Sequence, residues 1–222
     1  MQEDLDRLVS WFRHSSPFIH AHRGRTFVVS FCGEALSADN ADALVHDLAL
    51  LSGLGVRLVL VPGARPQIEA RLNQSGAAIE YVDGRRVTNA EALRCVQDAV
   101  GHVRLTLEAL FSMGLANSPM AGTRVQVAAG NFVTARPLGV RNGVDYAHTG
   151  EVRRIDADAL NARIDDGAVV VVSPLLVSPP GQQFNLYADD DAVAAVQTIS
   201  ADNLLFLHVC HSTMHSHAAP AW

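Results

Sequence analysis

Residues 56–73, VRLVLVPGARPQIEARLN, decide the fold of this chain. The first six residues are apolar and branched apart from Arg57, which is the pattern of a strand buried on both faces. The Pro-Gly-Ala-Arg-Pro segment then turns the chain into a helix predicted over 67–73, since glycine permits the turn and proline is accepted where a helix starts. A buried strand that leads directly into a helix is the repeating unit of a parallel α/β sheet.

The alternation of strands and helices continues on both sides of this stretch. Upstream, TFVVSF predicts a strand over 26–31, followed by a helix over 39–54. Downstream, Thr88 with Glu91 forms a capping-box pattern for a long helix to about Met113. Residues 123–154 then show two-residue periodicity between Gly-rich turns, which predicts a β-hairpin insertion. The remaining predicted elements are a helix at 156–165, a strand at 168–173, a helix at 189–200 and a strand at 204–207.

The first residues predict an amphipathic helix. Apolar side chains recur at helical spacing over 4–12, and Pro17 is expected to end the helix. Trp11, Phe12 and Phe18 suit burial in the core, but they also suit packing on another subunit. The sequence leaves both interpretations open.

The basic residues exclude several kinds of chemistry. All 17 are arginine, and the chain of 222 residues contains no lysine. A Schiff-base lysine, a Walker-type phosphate loop and an ε-ammonium general base each need an amine that a guanidinium cannot replace. Arginine still binds carboxylates and phosphates.

Charge and cysteine content narrow the partners and the compartment. The net charge of -6 and the pI near 5.9 disfavour nucleic acid as a partner. Neither a signal peptide nor a membrane-spanning stretch is predicted. Three separated cysteines indicate a reducing compartment, so we expect a cytoplasmic protein. Cys210 and three histidines near the C-terminus could supply metal ligands, but no flanking element would hold them, and we expect no metal site.

Five residues near predicted strand ends are candidates for ligand binding. Gly33 and Gly63 follow the first two strands, where helix N-termini offer free N–H groups, although both also fit ordinary strand-to-helix turns. Arg86 precedes the long helix and could hold a carboxylate, or it could belong to a solvated turn. Asn185 and Asp189 follow a buried strand, and the acidic residues there also fit the first turn of a helix.

These motifs together resemble the amino-acid-kinase-like domain of the bacterial N-acetylglutamate synthase family. The resemblance covers about residues 12–207 and is most specific in three motifs. These motifs are VPGARPQI, GRRVT and GVDYAHTGEVRRID. It implies a three-layer α/β sandwich with a mostly parallel central sheet, a β-hairpin insertion and an incomplete C-terminal part. It further implies an interlinking helix at 1–22, a kinase-like domain at 23–207 and a tail at 208–222 that matches nothing in the family.

The sister family, N-acetylglutamate kinase, shares this fold but differs where phosphate is bound. The kinases end their first strand in a lysine and two glycines, whereas this chain has Ser30, Phe31, Cys32 and Gly33 there. Their three-glycine loop corresponds to Gly63, Ala64 and Arg65. These differences predict the loss of phosphoryl transfer, which depends on positioned positive charge.

The resemblance also implies roles for individual residues and for the whole chain. Arg86 matches the arginine that holds the substrate carboxylate in the kinases, and Asn185 matches an asparagine of their acyl-amino-acid pocket. Asp189 matches the aspartate that organises the kinase active centre. Tyr187 departs from the family, which usually has an asparagine at this position. In the family, a separate domain transfers acetyl from acetyl-CoA to L-glutamate in the first step of arginine biosynthesis. We therefore expect a truncated, regulatory chain with no catalytic residue and no cofactor of its own. It would bind L-glutamate or L-arginine and form homo-oligomers through its N-terminal helix.

Two alternatives remain at this point. The chain is a free-standing module that senses an amino acid or assembles with its own copies, or it is an acetylglutamate kinase in which other groups replace the lost lysines.

Overall fold

A computed structural model of the chain describes residues 2–36, 41–113 and 125–207, with side chains from residue 6 onward. Within these ranges the chain forms six α-helices, one 3-10 helix and thirteen strands. The α-helices are α1 Gln2–His22, α2 Ala41–Gly53, α3 Arg65–Ser75, α4 Ala90–Ser112, α5 Ala157–Asp165 and α6 Ala188–Ile199, and the 3-10 helix is Gly33–Leu36. The longer strands are β1 Thr26–Phe31, β2 Arg57–Pro62, β5 Val127–Ala129, β6 Val133–Pro137, β9 Gly150–Ile155, β10 Val169–Val171, β11 Leu175–Val177, β12 Gln183–Asn185 and β13 Asn203–Leu207. The two-residue strands are β3 Tyr81–Val82, β4 Arg85–Arg86, β7 Val140–Arg141 and β8 Val144–Asp145.

The central sheet has five parallel strands in the order β13-β1-β2-β10-β5. In β1, Val28 is paired with Leu204 of β13 and with Val59 of β2. Residues of β1 and β2 are almost completely buried, as expected for strands covered on both faces. The predicted α/β fold with a parallel central sheet is confirmed.

The two faces of the sheet carry separate apolar cores. Alternate residues of β1 point to opposite faces, so Val29 and Phe31 pack against α2, α3 and α4, while Val28 lies in the other core. The second core contains residues of α5 and α6 together with β6 and β9. The three layers place the C-terminal ends of the strands on one edge, where the connecting loops gather.

Strands β6 and β9 of the predicted hairpin insertion form a second, four-stranded sheet with β11 and β12, in the order β12-β11-β6-β9. Strands β6 and β9 are antiparallel, and the short β7-β8 hairpin connects them. Residues 127–129 of the segment assigned to the insertion form β5 instead and extend the central sheet beside β10. Two-residue periodicity could not distinguish these strands, because it does not specify which sheet a strand joins.

Two local predictions are wrong. Pro17 lies inside α1, which continues to His22, because a proline removes only one backbone hydrogen bond and the ladder resumes beyond it, with Arg23 N donating to Ile19 O at 3.0 Å. Thr88 does not cap α4. The cap is Asn89, whose Oδ1 accepts from Ala92 N at 2.8 Å.

Candidate functional site

A cleft of about 290 Å³ opens at the C-terminal ends of β1 and β2. The loops after these strands form one wall, and the loop leading into α6 forms another. This is the edge where ligands bind in open α/β sheets. The cleft is lined by all five residues singled out in the sequence, Gly33, Gly63, Arg86, Asn185 and Asp189.

Arg86 reaches the cleft from a tight hairpin. Strands β3 and β4 are antiparallel, with Tyr81 opposite Arg86, and Asp83 and Gly84 form the turn with φ of 51° and 74°. Positive φ at both central positions is the requirement that an Asp-Gly pair meets in such a turn. The hairpin leaves Arg86 only 3% exposed, so the solvated-turn interpretation of this residue is wrong.

The Arg86 guanidinium is held by an aromatic ring and a carboxylate. Its Cζ atom lies 4.7 Å from the centroid of Tyr81, and its Nη2 donates to Tyr81 Oη and to Glu69 Oε1, the latter at 3.4 Å. Tyr81 in turn donates to Glu69 Oε1 at 2.8 Å. Burial, helped by this hydrogen bond, raises the pKa of Tyr81 to about 12, so the phenol stays protonated.

Arg65 contacts the same two residues from the exposed side. Its Nε donates to Glu69 Oε1 at 3.0 Å, and its Cζ lies 4.9 Å from the Tyr81 ring centroid. Partial burial opposes ionisation of Glu69, but the hydrogen bonds from Tyr81 and Arg65 lower its pKa. One carboxylate therefore faces two guanidinium groups, and this corner of the cleft carries an excess positive charge.

One nitrogen of Arg86 lacks a hydrogen-bond partner among the residues that the structure describes. Its Nη1 is buried and makes no hydrogen bond within the described part of the chain. A buried donor on a charged group without an acceptor is costly, and such exceptions in native proteins need an explanation. Arg86 also lines the cleft, so its guanidinium is the candidate partner for a carboxylate bound there.

The two glycines serve the packing of the strand-end loops. Gly63 N donates to Phe31 O at 2.7 Å, and a Cβ on Gly63 would lie 3.3 Å from Gly33 N. A Cβ on Gly33 would lie 2.7 Å from Pro66 Cδ, and Gln67 Nε2 donates to Gly33 O at 2.7 Å. Protein atoms occupy the space beside both glycines, so their absent side chains bring the loops together.

Asn185 is fixed by a buried polar chain. Its Nδ2 donates to Thr88 Oγ1 at 3.2 Å, and its backbone N donates to His148 O at 2.8 Å. Thr88 Oγ1 lies 2.9 Å from Thr149 Oγ1, which donates to Arg86 O at 2.5 Å. Thr149 comes from the insertion, so these hydrogen bonds connect the insertion to the Arg86 hairpin and to Asn185.

Asp189 lies at the N-terminal end of α6 and accepts from Ser30 Oγ at 2.9 Å. Its neighbour Asp190 pairs with Arg85 at 2.6 Å, and Tyr187 donates to Gly84 O. These contacts join the start of α6 to the Arg86 hairpin. Asp191 behaves differently, since it is 1% exposed and does not line the cleft.

Sequence reasoning missed Glu69, Tyr81 and Thr149. The helical position four residues after Arg65 was the available signal for Glu69. Nothing in the local sequence marks Tyr81 or Thr149, because their contacts come from segments distant in the chain. In the described ranges, no three His, Cys, Asp or Glu side chains are grouped to hold a metal ion, and no helix there is both long and apolar enough to cross a membrane.

The model of the amino acid kinase family matches residues 25–208, and the chain belongs to this family. Among curated relatives, the amino-acid acetyltransferase of Pseudomonas fluorescens strain SBW25 is 53% identical over 201 residues, and that of Ectopseudomonas mendocina is 53% identical over 197 residues. The alignments cover 90% and 89% of this chain but 46% of each relative. The chain thus spans about half the length of the relatives it matches.

The fold comparison agrees with the sequence comparison. An N-acetylglutamate synthase from Neisseria gonorrhoeae, complexed with coenzyme A and L-arginine, superposes with a TM-score of 0.84 and 35% identity, covering 90% of this chain and 47% of that one. Carbamate kinase from Giardia lamblia shares the fold alone, at 16% identity and a TM-score of 0.58. The resemblance to the N-acetylglutamate synthase family is confirmed.

Proposed function

We propose that this chain is the regulatory, kinase-like part of an N-acetylglutamate synthase and that its cleft binds a free amino acid without transforming it. The observation that carries this proposal is the buried Arg86, which lines the cleft and whose Nη1 has no hydrogen-bond partner among the described residues. In the proposed enzyme, acetyl transfer from acetyl-CoA to L-glutamate belongs to the part of the relatives that this chain does not match. Residues 1–22 would link subunits, residues 23–207 would bind the ligand, and residues 208–222 would lie outside the family fold.

Phosphoryl transfer is disfavoured at this cleft. The sequence has no lysine, and Ser30, which stands near the end of β1, is hydrogen-bonded to Asp189. Arg65 is engaged with Glu69 and the Tyr81 ring. Among the described residues, Arg65 and Arg86 are the cations that line the cleft, and no lysine is present to neutralise a transferring phosphoryl group.

The lining charges favour a zwitterion. Arg86 offers a guanidinium for an α-carboxylate, while the carboxylates of Glu34 and Asp189 line the same cleft and suit an α-ammonium group. L-glutamate and L-arginine carry both groups, whereas N-acetylglutamate lacks the ammonium. L-arginine is bound by one of the N. gonorrhoeae structures, and N-acetylglutamate by another. We infer that a free amino acid binds here more tightly than its N-acetyl derivative.

Titration calorimetry with L-arginine, L-glutamate and N-acetyl-L-glutamate tests this proposal. Arg86→Ala removes a charged hydrogen-bond partner of the carboxylate, which should weaken binding of a free amino acid by at least about tenfold. Asp189→Asn keeps the acceptor for Ser30 and should weaken only the ligands with an ammonium group. The matched control is Arg163→Ala, an exposed arginine of α5 that pairs with Asp166.

Unchanged affinity in Arg86→Ala, with a circular dichroism spectrum like that of the parent, would remove Arg86 from the binding site. Phosphate transfer from ATP to N-acetylglutamate by the parent chain would contradict the regulatory assignment and favour the kinase alternative.

A further inference from the structure

A second cavity, of about 370 Å³, lies apart from the cleft and shares no lining residue with it. It is formed where β6 and β9 of the insertion meet the start of α5. Its polar lining includes Asn131, Thr134, Arg153, Arg154 and Asp156. We refer to it as the insertion cavity.

A β-bulge brings the two adjacent arginines to the same cavity. Thr134 pairs with Arg154, but the next residue, Ala135, pairs with Val152, so Arg153 is an extra residue in β9. Successive side chains of a regular strand point to opposite faces, and a bulge changes that alternation. Both Arg153 and Arg154 line the insertion cavity as a result.

Arg153 and Arg154 are both exposed, and their guanidinium groups have no partner among the described residues. Two other arginines of the insertion, Arg136 and Arg141, pair with Glu151 at 2.9 Å and 3.0 Å. By contrast, neither Arg153 nor Arg154 has a side-chain hydrogen bond or an ion pair with the described residues. Arg136 and Arg141 therefore contribute to the hairpin through Glu151, whereas Arg153 and Arg154 are available to a ligand.

The charges within the cavity favour an anion. Two cations face one carboxylate, that of Asp156, and its Oδ1 already accepts from Ala159 N at 3.1 Å as the cap of α5. Thr134 Oγ1 donates to Arg154 O at 3.2 Å, which holds the bulge. Half-buried Phe132 adds an apolar wall beside the polar groups.

We propose that the insertion cavity binds the phosphate group of a small phosphate ester. Two planar guanidinium groups on one side offer paired donors to the oxygens of a tetrahedral anion, and the Phe132 ring offers a surface for the organic part. The site is separate from the amino-acid cleft and extends the proposed function to a second ligand.

Calorimetry at low ionic strength tests this site, with inorganic phosphate, inorganic pyrophosphate and adenosine 5'-monophosphate as probes. Arg153→Gln and Arg154→Gln are each expected to weaken binding by at least about tenfold. Arg136→Gln lies on the same insertion and changes the net charge equally, but it should leave the affinity within about twofold of the parent, because Arg136 is engaged with Glu151.

Asp156→Asn provides a test in the opposite direction. Asparagine keeps a capping oxygen for α5 but removes the carboxylate that repels the anion, so the affinity should increase several-fold. A purely structural role of Asp156 would leave the affinity unchanged or lower it.

The outcomes distinguish specific binding in the insertion cavity from a nonspecific effect of the net charge. No binding of any probe to the parent chain, or equal weakening by all three arginine variants, overturns the proposal. Tighter binding of the monophosphate ester than of free phosphate supports an ester, whereas the reverse order overturns the ester assignment. Arg86→Ala should leave this affinity unchanged, so the failure of one site is distinguishable from the failure of the other.

Discussion

Asp191 is an acidic residue in a buried environment, where an ionised carboxylate is unfavourable. Its side chain is 1% exposed, and both carboxylate oxygens lack hydrogen-bond partners in the described structure. Desolvation, with the nearby charge of Asp190, raises the pKa of Asp191 well above its ordinary value. The residue is therefore protonated over a pH range in which the unfolded chain releases the proton.

Replacing this carboxyl by an amide should stabilise the chain at neutral pH. Since the folded state retains the proton of Asp191 longer than the unfolded state, the stability of the parent decreases as pH rises from about 4 to the raised pKa and is constant above it. The penalty is about 1.4 kcal/mol for each unit by which the pKa is raised.

Asp191→Asn does not ionise and lacks this penalty. Urea unfolding at several pH values should show that the free energy of unfolding of the variant, relative to that of the parent, increases from pH 4 to pH 7. The difference between the two proteins should be smallest near pH 4. A difference that does not vary with pH would show that Asp191 ionises freely in the folded chain.

At the scale of elements, the strand-end loops show how backbone packing positions the cleft. The loop after β1 and the loop after β2 contact each other through glycines, and the N-terminal turn of α3 packs on Gly33. Arg65 and Glu69 lie on that first part of α3. Their placement against Tyr81 therefore depends on how closely the loop approaches the helix.

Two glycine-to-alanine variants separate packing from helix propensity. In Gly33→Ala the added Cβ would lie 2.7 Å from Pro66 Cδ, and the displacement of α3 should cost about 1–3 kcal/mol. Gly101 lies inside α4, and an added Cβ would have no atom within 4 Å apart from the backbone of the helix itself, so Gly101→Ala should instead stabilise the chain by about 0.5–1 kcal/mol.

Thermal and urea unfolding measure the stability of both variants. The affinity for an amino acid should decrease only in Gly33→Ala. Equal stabilities of the two variants would mean that the loop accommodates the methyl group without moving α3.

At the scale of the whole molecule, α1 and β13 each expose several large apolar side chains among the described residues. No described side chain of α1 is buried, and Trp11 and Phe18 are 65% and 69% exposed. Strand β13 ends the central sheet within the described residues, with Leu205 and Leu207 partly exposed. Apolar surface of this extent marks an interaction site, and the exposed strand edge is a site for association.

We expect the helix α1 to join copies of the chain. Trp11→Ser combined with Phe18→Ser removes the two most exposed aromatic side chains of α1 and should lower the mass measured by light scattering after gel filtration. Leu50→Ser is the control, because Leu50 is an exposed apolar residue of α2 at 48% exposure. A parent mass equal to one chain of 23.8 kDa would contradict assembly through α1.

The sequence by itself determined the parallel α/β sheet, the insertion and the five cleft residues. Buried strands and helices have periodicities set by neighbouring residues, and motifs such as VPGARPQI are contiguous, so both can be recognised without a structure. Local patterns could not show that Thr88 is a buried link in a polar chain instead of a helix cap, because its partners Asn185 and Thr149 are distant in sequence.

Only the tertiary structure decided which charges are balanced. The burial of Arg86, the isolation of Asp191 and the common orientation of Arg153 and Arg154 depend on contacts between segments far apart in the chain or on the register of one strand against another. Pair interactions of this kind leave no periodic trace in a single sequence, since each residue type is compatible with both a solvated and a buried position until the chain folds.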